Sequence, residues 1–185
     1  MARGGKKITD KDEEEIGLVA RRYLMWPDNF VLLVDDLEGD RVEQAPSVFQ
    51  RYRDVLDTML GPRLKSRASV HFLVNMLEAY FFGDSQAINA VLGTTLPDHV
   101  GDVELIRHPK NDLKKLYQGY DEIEHGRSIL AQLNTERVLA DPDTCAWLRT
   151  MFSWCFKALG EVPTSRFQLE AGQYSPVTHF QIDSL

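Results

Sequence analysis

Phe30-Val-Leu-Leu-Val-Asp-Asp-Leu-Glu-Gly-Asp40 is the stretch on which the reading of the fold turns. Phe30 to Val34 is a short apolar run without alternation. That pattern predicts a strand buried on both faces, as in a parallel sheet covered by helices. The run breaks off into Asp35, Asp36, Glu38 and Asp40, four carboxylates within six residues. In open parallel sheets, ligands bind just beyond the carboxyl ends of the strands. Crowded hard oxygen donors there are what Mg²⁺ or Mn²⁺ requires, and no cation offsets their repulsion nearby in sequence before Arg41. The same residues also read as an ordinary acidic turn facing water.

Working outward, residues 10–25 predict an amphipathic helix with Ile16, Val19, Ala20, Tyr23 and Leu24 on one face. Thr9 or Asp10 can cap it, and Pro27-Asp28-Asn29 breaks it. A second helix is expected over 47–60, stopped by Gly61-Pro62, then a strand over 69–74 and a helix over 75–82. The alternation helix, strand, helix, strand, helix predicts an α/β layer structure. Beyond residue 84 strand signals fade. Helices are expected over 86–92, 109–117, 126–133 and 143–159, with an irregular stretch at 96–106 and a surface tail from 161.

Composition narrows the function classes. The 185 residues carry 21 Lys and Arg against 28 Asp and Glu, a formal charge of −7, which argues against a broad surface for coating nucleic acid. A local basic strip inside a cleft is compatible with that balance. No run of about 18 apolar residues marks a membrane span, and the start lacks the apolar core of a secretory signal. Cys145 and Cys155 fall ten residues apart on one predicted helix, too far for a disulfide, so a reducing cytoplasm is the expected compartment. The sequence has no Gly-rich phosphate loop, no G-x-S-x-G, no H-E-x-x-H and no C-x-x-C.

Two further groups could carry chemistry. Glu78 stands in the nearly apolar segment Asn75-Met-Leu-Glu-Ala-Tyr-Phe-Phe82, where an ionised carboxylate is costly unless paired or bound to metal. The bland alternative makes it the one exposed position of a buried helix. Arg107-His108-Pro109-Lys110, followed by Lys114 and Lys115, is a positive strip at a predicted helix start that could hold phosphate, or simply solvated helix surface. His71 and His125 read as structural histidines.

Val31-Leu-Leu-Val-Asp-Asp-Leu-Glu-Gly-Asp40 resembles the acidic strand end of Toprim-type domains, which bind Mg²⁺ for phosphodiester chemistry. His71-Phe-Leu-Val-Asn-Met-Leu-Glu-Ala-Tyr-Phe-Phe-Gly-Asp84 resembles a segment of an uncharacterised bacterial family. Its Toprim-like members are often encoded beside ABC-type ATPases in phage-defence loci. His108-Pro-Lys-Asn-Asp-Leu-Lys-Lys-Leu116, with Tyr120 and His125-Gly126, resembles a later segment of that family. The likeness spans residues 30–158. Two departures stand out. No apolar strand with a Glu-Gly turn precedes the helix at 10–25, and the acidic motif is Asp36-x-Glu38 rather than D-x-D.

The resemblance implies a Toprim-like parallel sheet over 1–106 without its usual first strand, a helical part over 107–160 packed on it, and a tail over 161–185. It implies a Mg²⁺- or Mn²⁺-dependent nuclease-like module of a defence system, partnered by an ABC-type ATPase and acting on nucleic acid. Asp35, Asp36, Glu38 and Asp40 would supply the metal ligands, Glu78 would complete the site or act as base, and Lys110 would neutralise phosphate. The alternative is a non-catalytic interaction or regulatory subunit of such a complex. The sequence leaves the oligomeric state open.

Overall fold

Val31–Leu37 (β1) and Ala68–Val74 (β2) pair in parallel, with Val31 opposite Ala68 and Leu37 opposite Val74. This computed structural model describes residues 11 and 13–161. The proposed Thr9 or Asp10 cap and the tail from 162 onward lie outside the described residues. Among those described, β1 and β2 form a two-stranded sheet. Parallel neighbours need a long crossover. Here it is the helix Ala45–Met59 (α2) followed by the short helix Pro62–Lys65 (α3). The expected α/β alternation therefore holds, and the rest of the chain is mostly helical.

The strand expected over 30–34 runs on to Leu37, so Asp35 and Asp36 are strand residues rather than loop residues. Burial of that strand on both faces is corrected. Val31, Leu32 and Leu33 are half-buried and Val34 is 41% exposed, whereas β2 is buried along nearly its whole length. The physical reason lies in the two sheet faces. Side chains alternate along a strand. Val31, Leu33 and Leu37 join Phe72 and Val74 of β2 against Phe49 and Leu56 of α2. On the other face, helix Ala146–Ala158 (α9) packs on β2, with the Trp154 ring 5.9 Å from that of His71. β1 is thus an edge strand covered on one face.

The amphipathic helix expected over 10–25 appears as a π-helical stretch, Glu13–Leu18, running into Val19–Tyr23 (α1). Gly17 is needed there, because a Cβ would run into the Met59 side chain. The chain then turns at Pro27 and is pinned by Arg67. The Arg67 guanidinium donates to the carbonyls of Leu24 (2.6 Å), Trp26 (2.8 Å), Pro27 (2.6 Å) and Asn29 (3.1 Å). One side chain from the start of β2 thereby fixes the approach to β1.

After β2 come Leu77–Phe81 (α4), Ser85–Leu92 (α5), Pro109–Leu116 (α6), Arg127–Gln132 (α7) and Thr135–Val138 (α8). The helix expected over 126–133 is preceded by a π-helical turn, Glu122–Gly126. The apolar side chains fall into two clusters. One surrounds the sheet and α2. The other gathers Tyr80, Phe81, Ile88, Leu113, Ile129 and Leu139. The helical cluster therefore begins with α4 rather than at residue 107. α9 joins the two, since Trp147 lies in the first cluster and Leu148 in the second. Cys145 and Cys155 are free thiols.

Replacing Arg67 by Ala strips a charged donor from four backbone carbonyls, a loss of about 2 kcal/mol or more at typical values for charge-assisted bonds. Urea denaturation should show that loss without a change in slope, and an unshifted midpoint would refute the pinning role.

Candidate functional site

The carboxyl ends of β1 and β2 meet a sharp turn in the chain. The Asn75 N–H donates to the Leu37 carbonyl at 2.9 Å, which carries the parallel ladder one step past β2. Asn75 then takes φ 59° and Met76 φ 76°, ψ 164°. Asn tolerates the left-handed region, but the Met76 conformation is essentially a glycine one and costs of order 1–3 kcal/mol. This turn starts α4 at once, so the helix expected from residue 75 starts at Leu77. It also aims the Leu77 N–H at the Asp36 carboxylate, which accepts from it.

Strand alternation divides the acidic cluster. Asp35 turns toward α2, where its carboxylate accepts from the Tyr52 hydroxyl at 2.7 Å. Asp36 turns toward α4 and α6. Asp36 itself is exposed, yet its carboxyl is held above the ordinary range, first by the protein around it displacing water, then by the charges of Glu78 and Asp35; Lys110 and the Leu77 N–H pull the other way. The Asp36 and Glu78 regions, distant in sequence, therefore meet at one end of the sheet, with Lys110 close enough to be felt. Glu78 is only 9% exposed. Lys110 is ion-paired with Glu122 at 2.5 Å. Glu38 is exposed and lines a neighbouring cleft. Asp40 falls on the 3-10 turn Gly39–Gln44, and its side chain lies outside the described part of the structure.

That cleft, about 790 Å³, opens between the end of β2, the 102–111 segment and the start of α9. Val74, Met76, Leu105 and Trp147 form apolar wall, Arg107, His108, Lys110 and Asn111 form a polar, partly basic edge, and the acids Glu38, Asp102 and Glu104 also line the cleft. The basic strip expected at 107–110 thus lies at a concave surface beside Asp36. Lys114 and Lys115 are exposed farther along α6, Lys115 pairing with Asp112 at 2.7 Å.

Three residues of this region escape sequence reasoning. Glu104, 5% exposed, accepts from the Tyr80 hydroxyl at 2.8 Å and from the N–H groups of Trp147 (3.1 Å) and Leu148 (3.2 Å) at the start of α9. Burial, the chief cause, pushes its carboxyl up to about 7 against the pull of those bonds. Tyr80 closes the circuit by accepting from the Val74 N–H at 3.3 Å. Tyr120 is the third: its hydroxyl is buried without a partner among the described residues, and burial followed by the charge of Glu78 raises its pKa. Glu104 had a signal, an acid in Val103-Glu-Leu-Ile106, the kind of apolar setting that singles out Glu78. Tyr80 had none, since a tyrosine in an apolar run reads as core, and for Tyr120 the motif resemblance marked the position without a role.

The expected structural role of His71 agrees with its surroundings. It is fully buried, it shares a 2.8 Å hydrogen bond with the Ser69 hydroxyl, and burial lowers its pKa to about 3. No group of three or more His, Cys, Asp or Glu among the described residues is arranged to hold a metal ion. The converging acids are two, Asp36 and Glu78. This suits Mg²⁺, which usually keeps several waters and takes one or two carboxylates together with substrate phosphates.

Glu104 and His71 make opposite contributions to stability against pH. The folded state keeps the Glu104 proton above 4.5, where the unfolded chain releases it. Its contribution therefore falls as pH rises from 4.5 through about 7. His71 must stay neutral when folded, so its contribution is lost as pH falls from 6.5 toward about 3. E104Q should remove only the first slope. Urea titrations at several pH values should show E104Q gaining on the wild type by up to about 1.4 kcal/mol per unit from pH 5 to 7, then levelling. A constant difference from pH 5 to 8 would contradict this account.

Among the described residues no helix is long and apolar enough to cross a membrane. Comparison with curated proteins and with solved structures returns no match. A family model described as a domain of unknown function, DUF4276, matches residues 5–152, which takes in the sheet, the turn at 75–76, both acids and the cleft. The chain belongs to the DUF4276 family.

Proposed function

We propose that this protein is a Mg²⁺- or Mn²⁺-dependent, nuclease-like module that cleaves phosphodiesters at the end of its parallel sheet. The observation that carries the reading is the approach of Glu78 to Asp36, whose proton affinity is raised first by the displacement of water and then by the charges of Glu78 and Asp35. Like charges brought together this way are relieved by a cation. Asp36 and Glu78 would hold the metal, with Glu38 at the cleft mouth as a further oxygen donor. Asp35 would act from behind the strand, held by Tyr52. A bound divalent ion supplies Lewis-acid polarisation of a phosphoryl oxygen and charge neutralisation.

The chain's own residues do the rest. Lys110 exchanges Glu122 for a substrate phosphate and places a positive charge beside the scissile group. Arg107 and the first turn of α6 hold a neighbouring phosphate along the cleft edge. The fold kinship to Toprim-type domains, the defence setting and the ABC-type ATPase partner belong to this proposal and come from the resemblance of the motifs. A cytoplasmic setting accords with the free thiols.

One observation favours a second reading, a non-catalytic subunit. Among the described residues the outer edge of β1 is unpaired and Val34 on it is exposed, so another chain could add a strand there. Light scattering of the chain with and without the ATPase tests this: a stable complex supports it, and a monomer indifferent to the ATPase removes it.

Calorimetric titration with Mn²⁺ should show binding by the wild type and a loss of about tenfold or more in D36N and E78Q. Incubated with Mn²⁺ and single- or double-stranded DNA or RNA, the wild type should nick at least one of them. K110A should slow that cleavage by about 10²-fold. A wild type that takes up neither Mn²⁺ nor Mg²⁺ ends the catalytic reading.

A further inference from the structure

The groups that meet at Glu104 assign it a role in the site that its distance in sequence conceals. Its backbone carbonyl accepts from the Asn75 side-chain amide at 2.7 Å, and its carboxylate accepts from the Tyr80 hydroxyl at 2.8 Å. Asn75 lies three residues before Glu78 and Tyr80 two after it. One buried residue therefore grips both sides of the strained turn and short helix that carry Glu78. Its other contacts, the N–H groups of Trp147 and Leu148, belong to α9, which is anchored in both apolar clusters. α4 has only five residues and begins on an unfavourable Met76 conformation, so it needs an external hold to keep one geometry.

We propose that Glu104 is a positioning residue for the Asp36–Glu78 site, setting through Asn75 and Tyr80 where the Glu78 carboxylate stands relative to Asp36. The inference rests on the functional reading above only in what the site is for; the mechanical link is independent of it. A consequence is proton linkage. Protonated Glu104 loses charge at the start of α9 and changes its bond with Tyr80, and that change reaches α4. Other titratable and charged groups surround it: Glu38, Arg107, His108 and Lys110 line the same cleft. Tyr80 faces it from α4, its pKa held well above the ordinary value by burial and by Glu104 itself. Asp102 adjoins it on its own segment, and Cys145, pushed up to about 12 by burial, faces it ahead of α9. Neither Tyr80 nor Cys145 titrates near neutrality, and loss of the step in E104Q separates Glu104 from His108 and the other groups of the cleft.

The experiment follows backbone amides by two-dimensional NMR from pH 5 to 9 without metal, in wild type, E104Q and Y80F, with Trp147 and Leu148 as local reporters. In the wild type the Leu77 and Glu78 amides should carry the same inflection, near pH 7, as those of Trp147 and Leu148. E104Q should abolish it everywhere. Y80F, which keeps the ring and loses the hydroxyl, should keep it at Trp147 and Leu148 and weaken it at Leu77 and Glu78. In parallel, E104A should weaken Mn²⁺ binding by about tenfold, with E104Q restoring most of it. The proposal is overturned if the Leu77 and Glu78 amides are silent where Trp147 and Leu148 respond, or if Y80F transmits the step as fully as the wild type. A wild type that binds no Mn²⁺ overturns the metal reading alone, because the amide titration contains no metal and decides the positioning role by itself.

Discussion

The buried carboxylate of Glu104 is the constraint on which the site end of the molecule depends. Removing a carboxylate from water is expensive, and that cost appears in its raised pKa of about 7. Three donors from two elements offset part of it: a tyrosine hydroxyl on α4 and two N–H groups at the start of α9. Each donor is satisfied only while those elements keep their spacing. The interaction locks a short, strained helix to a long, well-anchored one.

The sheet itself is small, and its asymmetry shapes everything near it. β2 is enclosed by α2 on one face and α9 on the other, while β1 is covered on one face only. This division places Asp35 under Tyr52 and frees Asp36 to meet Glu78. Asp35 and Asp36, adjacent in sequence, thus face opposite sides of the sheet. Where a cluster on a loop could converge on one ion, the same residues continuing a strand diverge by the alternation of side chains. Their partner comes from the next strand's end, through a turn that only a positive-φ dipeptide can make.

The cleft beside this pair combines apolar wall with a basic edge drawn from the start of α6. Lys110 belongs to both features, since it lines the cleft and lowers the proton affinity of Asp36. Its present partner, Glu122, comes from the π-helical turn ahead of α7, so the charge available to an incoming anion is coupled to that turn.

The periodicities fixed much in advance. The helix that becomes α2, the strand at β2 and the parallel crossover between two strands all follow from local pattern, whereas α9 buries Trp147, Arg149, Thr150 and Trp154 and leaves Leu159 at its end exposed, a face its apolar spacing does not record. The chemical oddity of Glu78 and the basic stretch at 107–110 were legible too, since both contradict or punctuate their apolar surroundings. The length of β1 was not, because acids at Asp35 and Asp36 look like a loop until a neighbouring strand pairs with them. Nor was the role of Glu104: its meaning comes from Tyr80, Trp147 and Leu148, and hydrogen bonds across 24 to 44 residues leave no trace in local spacing. What the amino-acid order determined by itself is which segments form elements; which face each buries was settled in part only by packing, as the exposed Val19, Tyr23 and Val34 show. Which carboxylates share a site was decided only when packing brought separate strand ends and helix starts together, for electrostatic and hydrogen-bonding partnership depends on distance in space.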